Sequence, residues 1–309
     1  MTGDRAPRVA VVIVCWNSAQ TLPGLLDSLP DGLAGLRYQV IVVDNDSADD
    51  TVAVARRCVP DCLVVPTGYN AGYAAGINAG VAAADPYDAV LVLNPDIRLS
   101  AGCGARLHRE LTGEVGIAVP LIRHENGSVA YSRRREPTIT RAFGEALLGE
   151  RAGRLRYFGE TVLDEQAYRT AGRSDWATGA VMLISAQCLT ACGPWDESFF
   201  LYSEETDYAL RARDNGYHTR FIPDAEATHL GGQSRVSPRL WSLLAVNRVR
   251  LYRKRHSAPA TAMFRAALVL RESSRALLGQ QRSRSAMVAL LRGASPEQWR
   301  TPHPRNPLE

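Results

Sequence analysis

A mostly parallel α/β sheet flanked by helices, with a helical C-terminal extension, is the fold class that this sequence of 309 residues predicts. Three observations predict it. Apolar runs of strand length, at 9–15, 40–43, 63–65 and 89–93, recur with helical patterns between them. Such alternation means parallel strands joined by right-handed crossovers. Two of the runs stop abruptly in polar groups, Asp44-Asn45-Asp46-Ser47 and Asn94-Pro95-Asp96. In open sheets of this kind, ligands lie just beyond the carboxyl ends of the strands. Charge is also segregated: residues 235–309 hold 15 Lys and Arg against 3 Asp and Glu, which sets them apart as a basic extension.

The elements follow in order. The run 9–15 is continuously apolar, the pattern of a strand buried on both faces. Leu22, Leu25, Leu26 and Leu29 then recur at helical spacing. Strand 40–43 leads to a helix over 51–57, with Asp49 and Asp50 at its positive end and Arg56 and Arg57 at its negative end. Strand 63–65 precedes a helix of small residues over 72–84. Strand 89–93 follows, and Pro95, which has no N–H to donate, ends its ladder. After about residue 115 the rhythm changes. Strands are expected at 117–122 and 181–184, with loops and short helices over the polar, arginine-rich stretch 123–175. A helix over 205–214 is stopped by Asn215-Gly216, and 219–222 reads as a short final strand. From Pro238, two or three helices run to about 292, followed by a proline-rich tail.

A hydrophobic share of 46% supports one large or two ordinary domains. Residues 1–8 are polar and lack an apolar signal core, and no window reaches the apolar length of a membrane span. A cytoplasmic protein is therefore expected, its basic extension touching anionic lipid at the inner membrane face, a polyanion or an acidic partner. The excess of acids over bases before residue 235 argues against nucleic acid bound across the main domain. The six cysteines lie mostly among Ala, Val and Leu without clustered His, so they read as reduced, buried thiols rather than zinc ligands.

Four polar clusters carry candidate chemistry. Asn94 and Asp96, two residues apart, can face one site, and a carboxylate there suits a hard cation such as Mg²⁺ or Mn²⁺. The competing reading is a turn that caps the strand. Asp44 can accept the imide N–H of uracil or thymine, or belong to a helix-capping loop. In the stretch 69–78, Gly72 and Gly76 lie four apart and let a helix approach either a phosphate or the sheet closely. In 199–207, three acids follow an aromatic run. Mutual repulsion there raises a carboxyl pKa toward that of a general base, although a helix N-terminus also accounts for acids. His229, beside two glycines, reads as a metal ligand or a structural imidazole.

Taken together, Val-Val-Asp-Asn-Asp-Ser, Tyr-Asn-Ala-Gly-Tyr-Ala-Ala-Gly-Ile-Asn, Leu-Asn-Pro-Asp, Trp176-Ala177-Thr178-Gly179-Ala180 and Glu204-Glu205-Thr206-Asp207 resemble the family 2 glycosyltransferases. These are inverting enzymes of the GT-A fold, and the likeness is strongest to the branch containing rhamnosyltransferases and galactofuranosyltransferases. It spans about residues 8–255. It implies a catalytic domain over 1–235, with a nucleotide-binding half at about 8–115 and an acceptor-binding half at about 116–235, and a basic helical extension over 236–309. It implies that Asn17, Asp44, Asn70, Gly72 and Asn94 hold the nucleotide. Asp96 would hold the divalent cation in this branch's version of the Asp-x-Asp motif, with His229 as second ligand or diphosphate contact. Trp176, Thr178, Gly179, Ala180 and Glu204 would line the sugar and acceptor pocket, and Glu205 would be the base, where an aspartate is usual.

The implied reaction moves a sugar, first among candidates L-rhamnose from dTDP-rhamnose, to a hydroxyl of a glycan, glycolipid or small natural product. A loop within 123–175 would close over the reaction, and the C-terminal helices would meet a membrane or a second subunit. Two other readings remain: a sugar-phosphate nucleotidyltransferase, and a non-catalytic nucleotide binder. The first calls for a glycine-rich, basic phosphate loop where this chain has Cys15-Trp16-Asn17-Ser18.

Overall fold

The computed structural model describes residues 6–231 and 237–293. The chain begins as expected, β1 (Arg8–Cys15), α1 (Leu22–Gly32), β2 (Arg37–Asp44), α2 (Thr51–Cys58), β3 (Leu63–Pro66), α3 (Tyr73–Ala83), β4 (Ala89–Leu93). It continues through β5 (Ile97–Leu99), α4 (Cys103–Arg109), β6 (Val115–His124), β7 (Arg133–Arg134), α5 (Ile139–Leu148), β8 (Gly172–Ser174), β9 (Trp176–Ala177) and β10 (Val181–Ser185). Helices α6 (Ala186–Cys192) and α7 (Glu204–Asp214) lead to β11 (His218–His229), and α8 (Pro238–Arg255), α9 (Ala258–Leu277) and α10 (Gln281–Arg292) form the extension.

Among the described residues, nine strands form one sheet in the order β3-β2-β1-β4-β10-β6-β11-β5, with β8 also paired to β11. The first four are parallel, with Cys15 opposite Asp44 and Ile13 opposite Leu93. β10 runs antiparallel between β4 and β6. All five residues of β4 are fully buried, because helices cover both faces of the sheet. Leu22, Leu25, Leu26 and Leu29 of α1 pack on one face with Cys103 and Leu107 of α4. Ile77 of α3 and Tyr208, Ala209 and Ala212 of α7 pack on the other.

The glycines of α3 separate the two readings of that helix. A Cβ at Gly76 would lie 2.6 Å from Val14 Cγ1, and one at Gly80 would lie 2.5 Å from Val12 Cγ1. That part of the stripe brings helix onto sheet and does not face a ligand. Gly72 differs: it precedes the helix at φ 91°, a left-handed value that glycine tolerates, and a Cβ there would overlap the Phe200 carbonyl.

Three sequence expectations need correction. The strand expected at 219–222 is the first third of the twelve-residue β11. Beyond Ile222 the ladder with β6 only shifts register, between Ile222 and Glu226, and then resumes. His229 is consequently the last residue of a strand rather than part of a loop beyond one. Within 123–175 the chain is more ordered than loops and short helices imply. β7 and β9 form a separate ribbon, with Arg134 opposite Trp176, and the Arg133 guanidinium donates to the carbonyls of Ala167 and Arg173. Finally, the apolar residues of α9 and α10 that suggested a membrane or dimer face are partly core. Phe264, Ala267, Leu268, Ala286 and Leu290 are buried with Ala142 of α5 and Ala245 and Tyr252 of α8. The proline-rich tail lies outside the described residues.

Candidate active site

The site is built on the carboxyl edge of β1, β2 and β4. The loop after β1 is tied to the loop after β2: the Asn17 N–H donates to Ser47 Oγ at 2.9 Å, and Asn17 Oδ1 accepts the Ala48 N–H at 2.8 Å. Asn17 adopts φ 51°, a left-handed value that asparagine tolerates better than most residues, and its side chain is fixed by the bond to Ala48 in the neighbouring loop. Asp44, the last residue of β2, is 7% exposed and accepts the Ser47 N–H at 3.3 Å. Asn70 Oδ1 accepts the Gly72 N–H at 3.1 Å, and the buried Asn45 donates to the Gly72 carbonyl at 3.1 Å. Asp44 and Asn70 thus shape their own turns, while Asn17 and Asn45 tie one loop to the next.

Tyr73 joins these loops to the rest of the site. Its hydroxyl lies 2.8 Å from Asn94 Oδ1 and 2.9 Å from the Gly179 carbonyl. Burial, then the carboxylates of Glu204, Glu205 and Asp96, push this phenol well above its ordinary pKa, so it stays protonated and donates. In sequence Tyr73 carries no sign of a role. Its helical position beside small residues carried no sign that its hydroxyl crosses to a strand end 21 residues on.

Asp96 follows β4 after one turn. Its Oδ2 lies 3.0 Å from His229 Nε2, and its carbonyl accepts the Leu230 N–H at 3.0 Å. Both side chains remain accessible, at 23% for Asp96 and 18% for His229. Gly231 presses its backbone so close that any Cβ would fill the space beside Asp96 Oδ2. Arg98, two residues beyond Asp96, sends its hydrogen bonds to the carbonyls of Ile97 and Thr21.

The acidic pair closes the far side. Glu204 and Glu205 open α7, after Phe200, Tyr202 and Ser203 at φ 65°, 69° and 75°. Glu204 is 2% exposed. One carboxylate oxygen on each glutamate is buried without a hydrogen-bond partner among the described residues. Burial raises both pKa values. For Glu204 the neighbouring Glu205 charge adds to burial and carries it well above the ordinary range. For Glu205, backbone hydrogen bonds and the Arg134 guanidinium oppose burial, and its pKa settles at about 7. A Cβ added to Gly179 would stand 3.4 Å from Glu205 Cβ, so the Gly179 backbone lines the approach to this carboxylate.

The remaining predicted residues surround it. Trp176 is 8% exposed, donates Nε1–H to the Arg135 carbonyl at 3.1 Å, and lies under the Arg134 guanidinium at 5.8 Å. The Thr178 N–H donates to the Ser132 carbonyl at 3.1 Å. Ala180 accepts the Asn94 N–H through its carbonyl at 3.0 Å while its methyl joins the core, so only its backbone faces the strand end. Arg134 was hidden in a run of three arginines, all half-buried in the fold, and nothing in the run tells which of them lies near Glu205.

The family model for glycosyl transferase family 2 matches residues 10–176. An N-acetylglucosaminyl-diphospho-decaprenol L-rhamnosyltransferase of Mycobacterium tuberculosis is 30% identical over 304 residues, covering 92% of this chain and 97% of that protein. A low-salt glycan biosynthesis hexosyltransferase, Agl10, of Haloferax volcanii is 28% identical over 227 residues, covering 72% of this chain and 66% of that protein. Among solved structures, the mannosyltransferase PcManGT from Pyrobaculum calidifontis, in complex with GDP-Man and Mn²⁺, superposes with a TM-score of 0.58 at 17% identity, over 96% of this chain and 88% of that one. That likeness shows the GT-A glycosyltransferase architecture. With a strand-end site of this form and these matches, the chain belongs to glycosyl transferase family 2 and is an enzyme of that family.

Proposed function

We propose that this enzyme transfers L-rhamnose from dTDP-L-rhamnose, with inversion and with help from a divalent cation, to a hydroxyl of a sugar carried on a polyprenyl diphosphate. The observation that carries the reading is Glu205, a buried carboxylate poised at about 7, beside Gly179 and the Asn94–Tyr73 pair. A general base is most effective when its pKa lies near the working pH. Glu205 would accept the acceptor proton as the oxygen attacks the anomeric carbon in one displacement. Tyr73 stays protonated and holds Asn94 and the Gly179 carbonyl in place beside it. Asp44, at the end of β2, would accept N3–H of thymine or uracil, which favours pyrimidine donors.

The residues at Asp96 fit a divalent cation. A carboxylate oxygen and an imidazole nitrogen converge within 3.0 Å, and Gly231 leaves open the space that a side chain would fill. Such a donor pair suits Mn²⁺ or Mg²⁺, which accept water and phosphate oxygens in their remaining positions. When bound there, the ion would supply positive charge to the leaving diphosphate.

The polyprenyl-linked acceptor and the lipid contact are supported by the name of the mycobacterial relative and by one end of the extension. No helix among the described residues is long and apolar enough to cross a membrane. Yet Leu147, Tyr157, Leu277 and Leu278 are exposed by 73, 68, 88 and 80%. The first two lie in and just after α5, the others at the end of α9, which packs against α5. Arg151, Arg154 and Arg156 are exposed on the stretch after α5, and Arg282 and Arg284 on α10, which packs against α9. Apolar tips among arginines are the composition that an anionic bilayer surface receives.

The test is turnover of dTDP-L-rhamnose with Mn²⁺ and a polyprenyl-diphosphate N-acetylglucosamine acceptor, read by product mass and anomeric configuration. Parallel arms use UDP- and GDP-sugars. A retained configuration, or transfer only from GDP-sugars, would sink the reading.

A further inference from the structure

We propose that Asn247, on α8 of the C-terminal extension, is a positioning residue for the active site: its amide clamps the loop that delivers Glu204 and Glu205. The proposal rests on the reading of Glu205 as the base and adds a residue to it. The loop needs a clamp. Phe200, Tyr202 and Ser203 all sit at left-handed φ values without being glycine. Such residues are held there at a cost of about 1 kcal/mol or more each. The twisted backbone turns three carbonyls, those of Phe199, Leu201 and Tyr202, toward one point.

Asn247 Nδ2 occupies that point, at 2.7, 2.8 and 3.2 Å from the three oxygens. The residue is fully buried, so these carbonyls have no water in its place. Convergent carbonyls accept only from a donor, which fixes the NH₂ end of the amide toward the loop. The loop is also held from the opposite side, where the Phe200 carbonyl accepts the Tyr73 N–H at 2.7 Å. Other α8 residues support its flanks. Arg250 donates to the Ser198 carbonyl at 2.7 Å, and Lys254 reaches Asp207, in the first turn of α7, at 2.6 Å. Arg248, adjacent to Asn247, pairs with Glu145 and Glu160 at 3.2 and 2.5 Å. The geometry makes α8 the support of the loop that carries the acidic pair rather than an appendage packed behind it.

The test compares three full-length variants. Asn247→Asp keeps the volume but sets an acceptor against three carbonyl oxygens. Asn247→Ala removes the amide. Leu243→Ala, one turn earlier and fully buried, weakens the same helix with a side chain that has no hydrogen bond to offer the loop. Two readouts are taken: amide hydrogen exchange over residues 199–205, and turnover of dTDP-L-rhamnose with Mn²⁺ alongside dTDP affinity by calorimetry. Both Asn247 variants should speed exchange at 199–205 about tenfold or more, beyond any change elsewhere in α8. They should lower kcat about a hundredfold, the scale of a misplacement near 1 Å, with dTDP affinity held within about threefold. Leu243→Ala should lose melting temperature while keeping kcat within about threefold. If Asn247→Asp does not fold, Asn247→Ala decides. Equal losses in Leu243→Ala and Asn247→Ala, or unchanged exchange at 199–205, overturn the clamp. If the wild-type enzyme turns over no nucleotide sugar, the reading of Glu205 fails, and hydrogen exchange alone decides the clamp.

Discussion

Asp96 Oδ2 and His229 Nε2 meet at 3.0 Å although 133 residues separate them in the chain. The meeting is a consequence of sheet topology. β5, immediately after Asp96, pairs antiparallel with the end of β11, and Ile97 is the register partner of His229. Asp96→Asn should therefore preserve the fold, with a melting temperature close to wild type. It should remove most Mn²⁺-stimulated turnover, about a hundredfold, because charge placed on a leaving group contributes several kcal/mol. Turnover that stays within a few-fold and still responds to Mn²⁺ would show that Asp96 does not hold the ion.

Glu205→Gln should reduce kcat about a hundredfold or more, the scale of a positioned base, and leave dTDP binding nearly unchanged. In the wild-type enzyme, kcat/KM should rise with pH and level off above about 7, as Glu205 ionises. The stability consequence has the opposite sign to the usual carboxylate. A raised folded-state pKa contributes stability below the unfolded value of 4.5 that is lost as pH rises through about 7. Glu205→Gln should accordingly gain melting temperature over wild type at pH 8 and much less at pH 5. Full activity of Glu205→Gln with loss in Glu204→Gln would move the base by one residue.

Gly72 and Gly35 separate backbone conformation from space. Both have positive φ, 91° and 85°, but Gly72, at ψ 178°, sits in a region that essentially only glycine enters and also faces an obstacle, the Phe200 carbonyl, while nothing lies within 4 Å of a Cβ at Gly35. Gly35→Ala should cost about 1 kcal/mol by conformation alone. Gly72→Ala should cost clearly more, and it should also impair turnover, since Phe200 belongs to the loop before Glu204. Chemical denaturation of the two variants measures the difference. Equal losses would show that the Phe200 loop gives way freely.

The enzyme should co-sediment with vesicles containing anionic lipid at low salt and release as salt rises, because exposed charge pairs are screened within about a Debye length. Replacing Leu277 and Leu278 together by Ser should weaken that binding without changing the melting temperature, given their exposure of 88 and 80%. Binding no greater to anionic than to neutral vesicles, with a concentration-dependent dimer instead, would assign this end to a second copy of the chain.

The parallel half of the fold was legible because its signals are local. Residues 9–15 and 89–93 are buried on both faces, so every position is apolar, and the carboxylates appear where those runs stop. The motif order carried the family as well. Local signals failed where contact with distant segments decides. The apolar signal at 219–222 is that of a short strand, but pairing with β6 carries β11 on through Pro223 to His229. The small residues of α3 looked alike, yet Gly76 and Gly80 meet the sheet while Gly72 meets the Phe200 carbonyl. Arg134 and Asn247 showed nothing in sequence, since burial and hydrogen-bond convergence depend on segments dozens of residues away. Sequence alone determined the chemical inventory, which carboxylates, amides and strand ends exist. Tertiary structure decided which of them share one cleft, and there burial raises the pKa of Glu205 against the pull of local backbone hydrogen bonds and the distant Arg134 guanidinium, leaving it at about 7.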